Sequence, residues 1–152
     1  MRIAGLSLIV AAALGLSLAG EAEYHNCGLC KPMAAEPGLM EHLQWETHEI
    51  SAGMLSVTTV EPAYEQAYAR AHAKMMEAVK RLEAGEKMEL CPYCRRINEL
   101  AQAGAKIENI DSKGGHIMAV TASSAEVIDK IHAHARWANA EFAKHADHGH
   151  GG

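Results

Sequence analysis

Ala105-Lys106-Ile107-Glu108-Asn109-Ile110, then Ser112-Lys113-Gly114-Gly115, then Ile117-Met118-Ala119-Val120-Thr121-Ala122 decides how this chain folds. Charged Lys106 and Glu108 alternate around Ile107, the period of a strand with one wet face. The Ser-Lys-Gly-Gly stretch is turn chemistry, because glycine reaches the positive φ angles that tight hairpins need. Ile117 to Val120 is continuously apolar, which predicts a central strand covered on both faces.

The same order occurs earlier in the chain. Leu43 to Ile50, a turn at Ala52-Gly53, and Met54 to Val60 predict a first hairpin. Met54-Leu55-Ser56-Val57-Thr58 aligns with Ile117-Met118-Ala119-Val120-Thr121. A long amphipathic helix is expected after each hairpin, from Pro62 to about Ala84 and from Ser123 to about His145. Tyr64, Tyr68, Ala71, Met75, Val79 and Leu82 recur at three- and four-residue steps in the first, and Val127, Ile131, His134, Ala138 and Phe142 in the second. Gly85 ends the first helix. A shorter helix is expected from Cys91 to about Ala103, stopped by Gly104. The reading is α+β: a duplicated helix-hairpin-helix (αββα) unit forming a four-stranded antiparallel sheet with helices on one face. It divides the chain into a signal peptide (1–19), a first repeat (20–86), a second repeat (87–146) and a disordered His/Gly tail (147–152).

Each repeat opens on a Cys-x-x-Cys, Cys27-Gly28-Leu29-Cys30 and Cys91-Pro92-Tyr93-Cys94, and these hold all 4 cysteines of the 152-residue chain. Met1-Arg2 followed by an uncharged apolar run to Leu18, with a small-x-small pattern at Ser17-Leu18-Ala19, reads as an export signal. The expected location is periplasmic or secreted, with no membrane association after cleavage. Free thiols are a liability there, so each pair is expected to be a disulfide, a metal clamp or a redox centre.

Two Cys-x-x-Cys pairs can build one tetrahedral four-sulfur site for Zn²⁺. The usual interval between pairs is about 15–20 residues and here it is about 60, so convergence requires the two repeats to pack with matching ends together. Alternatively His25 and Cys27 to Cys30 offer a separate nitrogen-sulfur set for Zn²⁺ or Cu(I). The chain has 10 His; His145, His148 and His150 near the C-terminus can collect a borderline cation. His72 and His132 sit at the edges of helical stripes, and His134 within one, where core or boundary roles are the ordinary expectation. His42 and His48 would lie about 20 Å apart if both were on one strand, too far to share an ion. Disulfides within the pairs would close tiny loops and gain little chain entropy, whereas a bond between the pairs would staple the repeats.

Cys91 stands where a helix N-cap is expected, with Pro92 at the first helical position. Cys-Pro-Tyr-Cys-Arg-Arg, followed by Leu100 and by Ile107-Glu108-Asn109-Ile110-Asp111, resembles the active-site segment of glutaredoxins. The resemblance implies a thiol–disulfide oxidoreductase with Cys91 attacking and Cys94 resolving. It covers about 20 residues. That family also has a full strand before the motif and a cis-proline loop after it; here residues 85–90 are short and polar, and no proline follows Pro92.

Net charge is −5 with no basic stripe, which excludes nucleic acid as a partner class. Lys31 and Arg95 follow the cysteine pairs, so neither is a c-type haem motif. No phosphate loop, nucleophile elbow or His-Glu-x-x-His is present. The sequence therefore predicts an exported protein that binds Zn or Cu through Cys27, Cys30, Cys91 and Cys94, with His25, His148 and His150 as further ligands. Its expected partners are the metal ion and another periplasmic protein. The alternatives are the oxidoreductase and a non-catalytic module held by two disulfides.

Overall fold

Both hairpins form where their turn residues put them. In this computed structural model, which describes residues 24–146 and the side chains of residues 24–144, β1 (Leu43–Ile50) and β2 (Gly53–Val60) pair antiparallel around Ser51-Ala52. Likewise β3 (Lys106–Ser112) and β4 (Gly115–Thr121) pair around Lys113-Gly114. The hairpins join through their second strands, Gly53 opposite Thr121 and Thr59 opposite Gly115, giving the order β1-β2-β4-β3. The export signal and the His/Gly tail fall outside the described residues. No described helix is long and apolar enough to cross a membrane.

Besides a helical stretch at residues 24–26, four α-helices accompany the sheet among the described residues: α1 (Lys31–Ala34), α2 (Glu65–Glu83), α3 (Pro92–Gln102) and α4 (Ala125–Ala146). Short 3₁₀ turns at Leu39–His42 and Pro62–Tyr64 lead into β1 and α2. The fold is thus mixed helix and strand with one four-stranded antiparallel sheet. The helix ahead of the first hairpin is a single turn, whereas its counterpart α3 makes three.

Side chains alternate across a strand, so Met54, Ser56 and Val60 of β2 share a face with His116, Met118 and Val120 of β4. These four helices pack there. Met54 and Val120 meet Leu100 of α3 and Val127, Ile131 and Ala135 of α4. Leu43 and Val60 meet Met33, Leu39, Tyr68 and Ala71. Ile131 is fully buried, a contribution of about 1.5–3 kcal/mol for a side chain of its size.

The expectation that β4 is covered on both faces is corrected. It is central, but among the described residues no helix packs on the other face, where Leu55, Val57 and Ile117 are half-buried. The continuous run Ile117 to Val120 arises because Ile117 and Ala119 join Leu55 and Val57 in an apolar stripe between flanking polar strands. His42 is also corrected: it sits in the 3₁₀ turn before β1, stacked 4.0 Å over Tyr64 and 3.0 Å from Glu61, so it shares no sheet face with His48.

Candidate metal centre

The two Cys-x-x-Cys pairs converge. Cys27, Cys30, Cys91 and Cys94 place their sulfurs within 4.8 Å of one another although the pairs lie 64 residues apart. Cys30 Sγ is 3.7 Å from Cys91 Sγ and 3.4 Å from Cys94 Sγ. All four thiols are free, so neither the within-pair nor the between-pair disulfides form here.

Local backbone explains how each pair presents its sulfurs. The carbonyl of the first cysteine accepts the amide of the residue after the second: Lys31 to Cys27 and Arg95 to Cys91, both at 2.9 Å. This turn folds two sulfurs of a pair toward one point. Cys91 is the N-cap of α3, in extended conformation, with Pro92 taking the first helical position at no hydrogen-bonding cost. In the first pair it is Cys30 that caps α1, with Pro32 just inside. The amide of Gly28 donates to the carbonyl of Glu89 at 2.8 Å and binds the two turns edge to edge.

An apolar shell surrounds the sulfurs. Cys27 is 0% exposed and Cys91 4%; Leu29 and Ala78 complete the buried set, with Met75, Val79, Leu82, Met88, Leu90 and Tyr93 packed around it. The C-terminal half of α2 forms the lid. Tyr93 anchors the site to the sheet, its hydroxyl 3.1 Å from Ser56 Oγ on β2. Burial pushes the Tyr93 phenol up, so it stays protonated and able to hydrogen-bond. Arg95 and Arg96 are turned away: Arg95 donates to the Leu90 carbonyl at 3.1 Å, and the Arg96 guanidinium lies 4.3 Å over the Trp137 ring.

The thiols divide electrostatically. Cys27 is held well below the usual thiol value, first by the hydrogen bond from Cys30. Cys30 and Cys94 are pushed up, first by their contacts with Cys27. At Cys91, contact with Cys27 pushes upward, but hydrogen bonds with Cys30 and Cys94 outweigh it and the thiol is lowered. Four sulfurs this close cannot all ionise against one another in an apolar shell. A dication at their centre would remove that conflict. Its geometry also fits: tetrahedral ligands about 2.3 Å from Zn²⁺ stand about 3.8 Å apart, close to the spacings found.

The remaining residues singled out by sequence do not join this cluster. His25 is exposed and outside the four-sulfur group. His148 and His150 lie outside the described residues, as does the side chain of His145. His132 is a boundary residue, 2.9 Å from the Ile50 carbonyl. His134 is 3% exposed and lacks a hydrogen-bond partner on either ring nitrogen, packed instead on Tyr93 and Trp137. The glutaredoxin-like features are not present: residues 85–90 form no strand, and the described chain has no cis peptide bond. Sequence reasoning missed a second convergence, of His72, Asp111 and His116. Its one local signal was the turn at Lys113-Gly114, which sets Asp111 directly opposite His116. Comparison with protein-family models, characterised proteins and solved structures finds no match to the chain.

Proposed function

We propose that this is an exported metal-binding protein whose four cysteines hold one Zn²⁺ in a closed tetrahedral site. The observation that carries the reading is the convergence of both pairs, with Cys30 3.4–3.7 Å from the sulfurs of the other pair. Four converging sulfurs favour Zn²⁺ over Cu(I), because tetrahedral four-thiolate sites suit zinc. With every position taken by protein and an apolar lid above, the metal is structural: it clamps the N-terminal turn to α3 and thereby to the sheet. His148 and His150 would be accessory collectors.

A duplicated αββα unit belongs to the same reading. Supporting it are the matching cysteine turns, the two-residue hairpin turns, the long helix after each hairpin, and the meeting of equivalent strands β2 and β4. An oxidoreductase has less support, since an attacking Cys91 must be reachable and it is 4% exposed.

The test is elemental analysis and thiol titration of protein purified anaerobically. We expect one cysteine-dependent zinc per chain, lost alike in Cys27→Ser and Cys91→Ser. Metal-free protein with four oxidised cysteines would overturn the reading. Disulfide-exchange turnover lost in Cys91→Ser but kept in Cys27→Ser would replace it with the oxidoreductase.

A further inference from the structure

We propose that His72, Asp111 and His116 form a second metal centre, for a borderline divalent cation such as Zn²⁺ or Co²⁺, with open coordination positions facing a cleft. The three come from α2, β3 and β4, and one ligand atom of each lies within 4.8 Å of the others. Two imidazoles and one carboxylate are a donor set for such ions.

The decisive detail is at His116. It is 6% exposed, and its Nε2 lies 3.0 Å from Asn109 Oδ1. An amide oxygen only accepts, so Nε2 carries the proton and Nδ1 bears a free lone pair. That Nδ1 is buried and has no hydrogen-bond partner; His72 Nε2 is buried and bare in the same way. Unpartnered buried polar atoms are costly. Two of them, on rings whose centroids are 4.3 Å apart, share one location, where a cation would satisfy both.

Asp111 supplies the charge. Its Oδ1 is 3.8 Å from His116 Nδ1, too long for a hydrogen bond. Two ligands about 2.1 Å from one ion stand about 3.4 Å apart, so a small swing of this exposed side chain closes the set. Asn109 then acts as a positioning residue, fixing the ring as outer hydrogen bonds to metal-bound histidines do.

Outside lies a cleft of about 590 Å³, lined by His72, Asp111, Asn109, Tyr68 and Glu65 among others. Three protein ligands beside an open cleft describe a site that keeps room for water or a small anionic ligand. This separates it from the closed cysteine site, and it rests on none of the cysteine geometry.

The test uses full-length protein carrying His148→Ala and His150→Ala, so that tail binding does not count, titrated anaerobically with Co²⁺ and then with Zn²⁺. We expect two equivalents of Zn²⁺. Cobalt in the cysteine site should show a thiolate charge-transfer band; cobalt in this site should show weak ligand-field absorption without one. Asp111→Asn and His72→Ala should abolish the second signal and spare the first. Asn109→Ala should weaken it about 10–100-fold. Asp111 and Asn109 are exposed, so these variants keep the fold even where His116→Ala does not. Both equivalents retained in Asp111→Asn and His72→Ala, or no binding outside the charge-transfer band, would overturn the proposal. Loss of that band alone would sink the cysteine reading and leave this one standing.

Discussion

Gly28 and Glu89 join backbone to backbone at 2.8 Å, and this one bond brings the first cysteine pair alongside the chain that enters the second. The approach leaves no space at Gly28: a Cβ there would stand 2.8 Å from Met88 Sδ and 3.0 Å from Met88 Cβ. Gly28→Val must therefore displace Met88 from the shell over the sulfurs. Overpacking of this kind costs about 1–3 kcal/mol. We expect faster zinc loss to a competing chelator and a lowered unfolding midpoint. A variant that releases zinc at the wild-type rate would show that this contact does not hold the site closed.

Gly53 and Gly115 open the second strand of each hairpin, with φ of 151° and 158°. A Cβ on Gly53 would overlap the Val120 carbonyl, and one on Gly115 the Thr58 carbonyl. The two clashes mirror each other across the β2–β4 seam. Backbone cannot yield as a side-chain tip can, so Gly53→Ala and Gly115→Ala should each destabilise by about 3 kcal/mol or more. Denaturant titration checks this. A loss below about 1 kcal/mol in both would mean the seam is looser than its register implies.

Those glycines also show what the sequence could and could not reveal. β1 was legible to the residue, because Leu43 to Ile50 alternates and ends at a turn. β3 runs two residues past Ile110, and β4 starts at Gly115, because the turn is only Lys113-Gly114 and polar residues around it pair in the ladder. The helical stripes were legible from their period. Convergence of the cysteines was not: it depends on β2 meeting β4, a contact that no local pattern encodes. His72 was hidden for the same reason, lying on a helix far along the chain from Asp111 and His116.

Asn139 on α4 treats the edge strand β1 as a neighbouring strand would. Its Oδ1 accepts the Thr47 amide and its Nδ2 donates to the Thr47 carbonyl, both at 2.8 Å, while Thr47 Oγ1 donates to the Ala135 carbonyl at 2.9 Å. Edge strands carry unpaired backbone groups that need cover. Asn139→Ala should cost about 1–3 kcal/mol, the range for leaving such groups unsatisfied. Asn139→Asp should cost more at pH 7, setting a carboxylate against the carbonyl, and should recover below about pH 4, when a protonated carboxyl can donate. Equal stability of the two variants across pH would remove the argument.

His134 makes folding pH-sensitive in a predictable direction. Burial first, and the Arg96 charge second, hold its imidazole at about 4, below the ordinary imidazole value of 6.5. The folded ring stays neutral while the unfolded chain takes up a proton as pH falls below about 6.5. The unfolded state therefore binds more protons between about pH 6.5 and 4, and stability contributed above that window is lost within it. At 1.36 kcal/mol per unit the loss is at most about 3 kcal/mol. His134→Leu keeps an apolar side chain against Tyr93 and Trp137 but removes the titrating group. We expect the wild type to lose about 2 kcal/mol more than His134→Leu between pH 7 and pH 4.5. Under the proposed function, zinc release through thiolate protonation would affect both proteins alike and cancel in the difference. Parallel pH profiles for the two would place the acid sensitivity elsewhere, with the cysteines the first candidates.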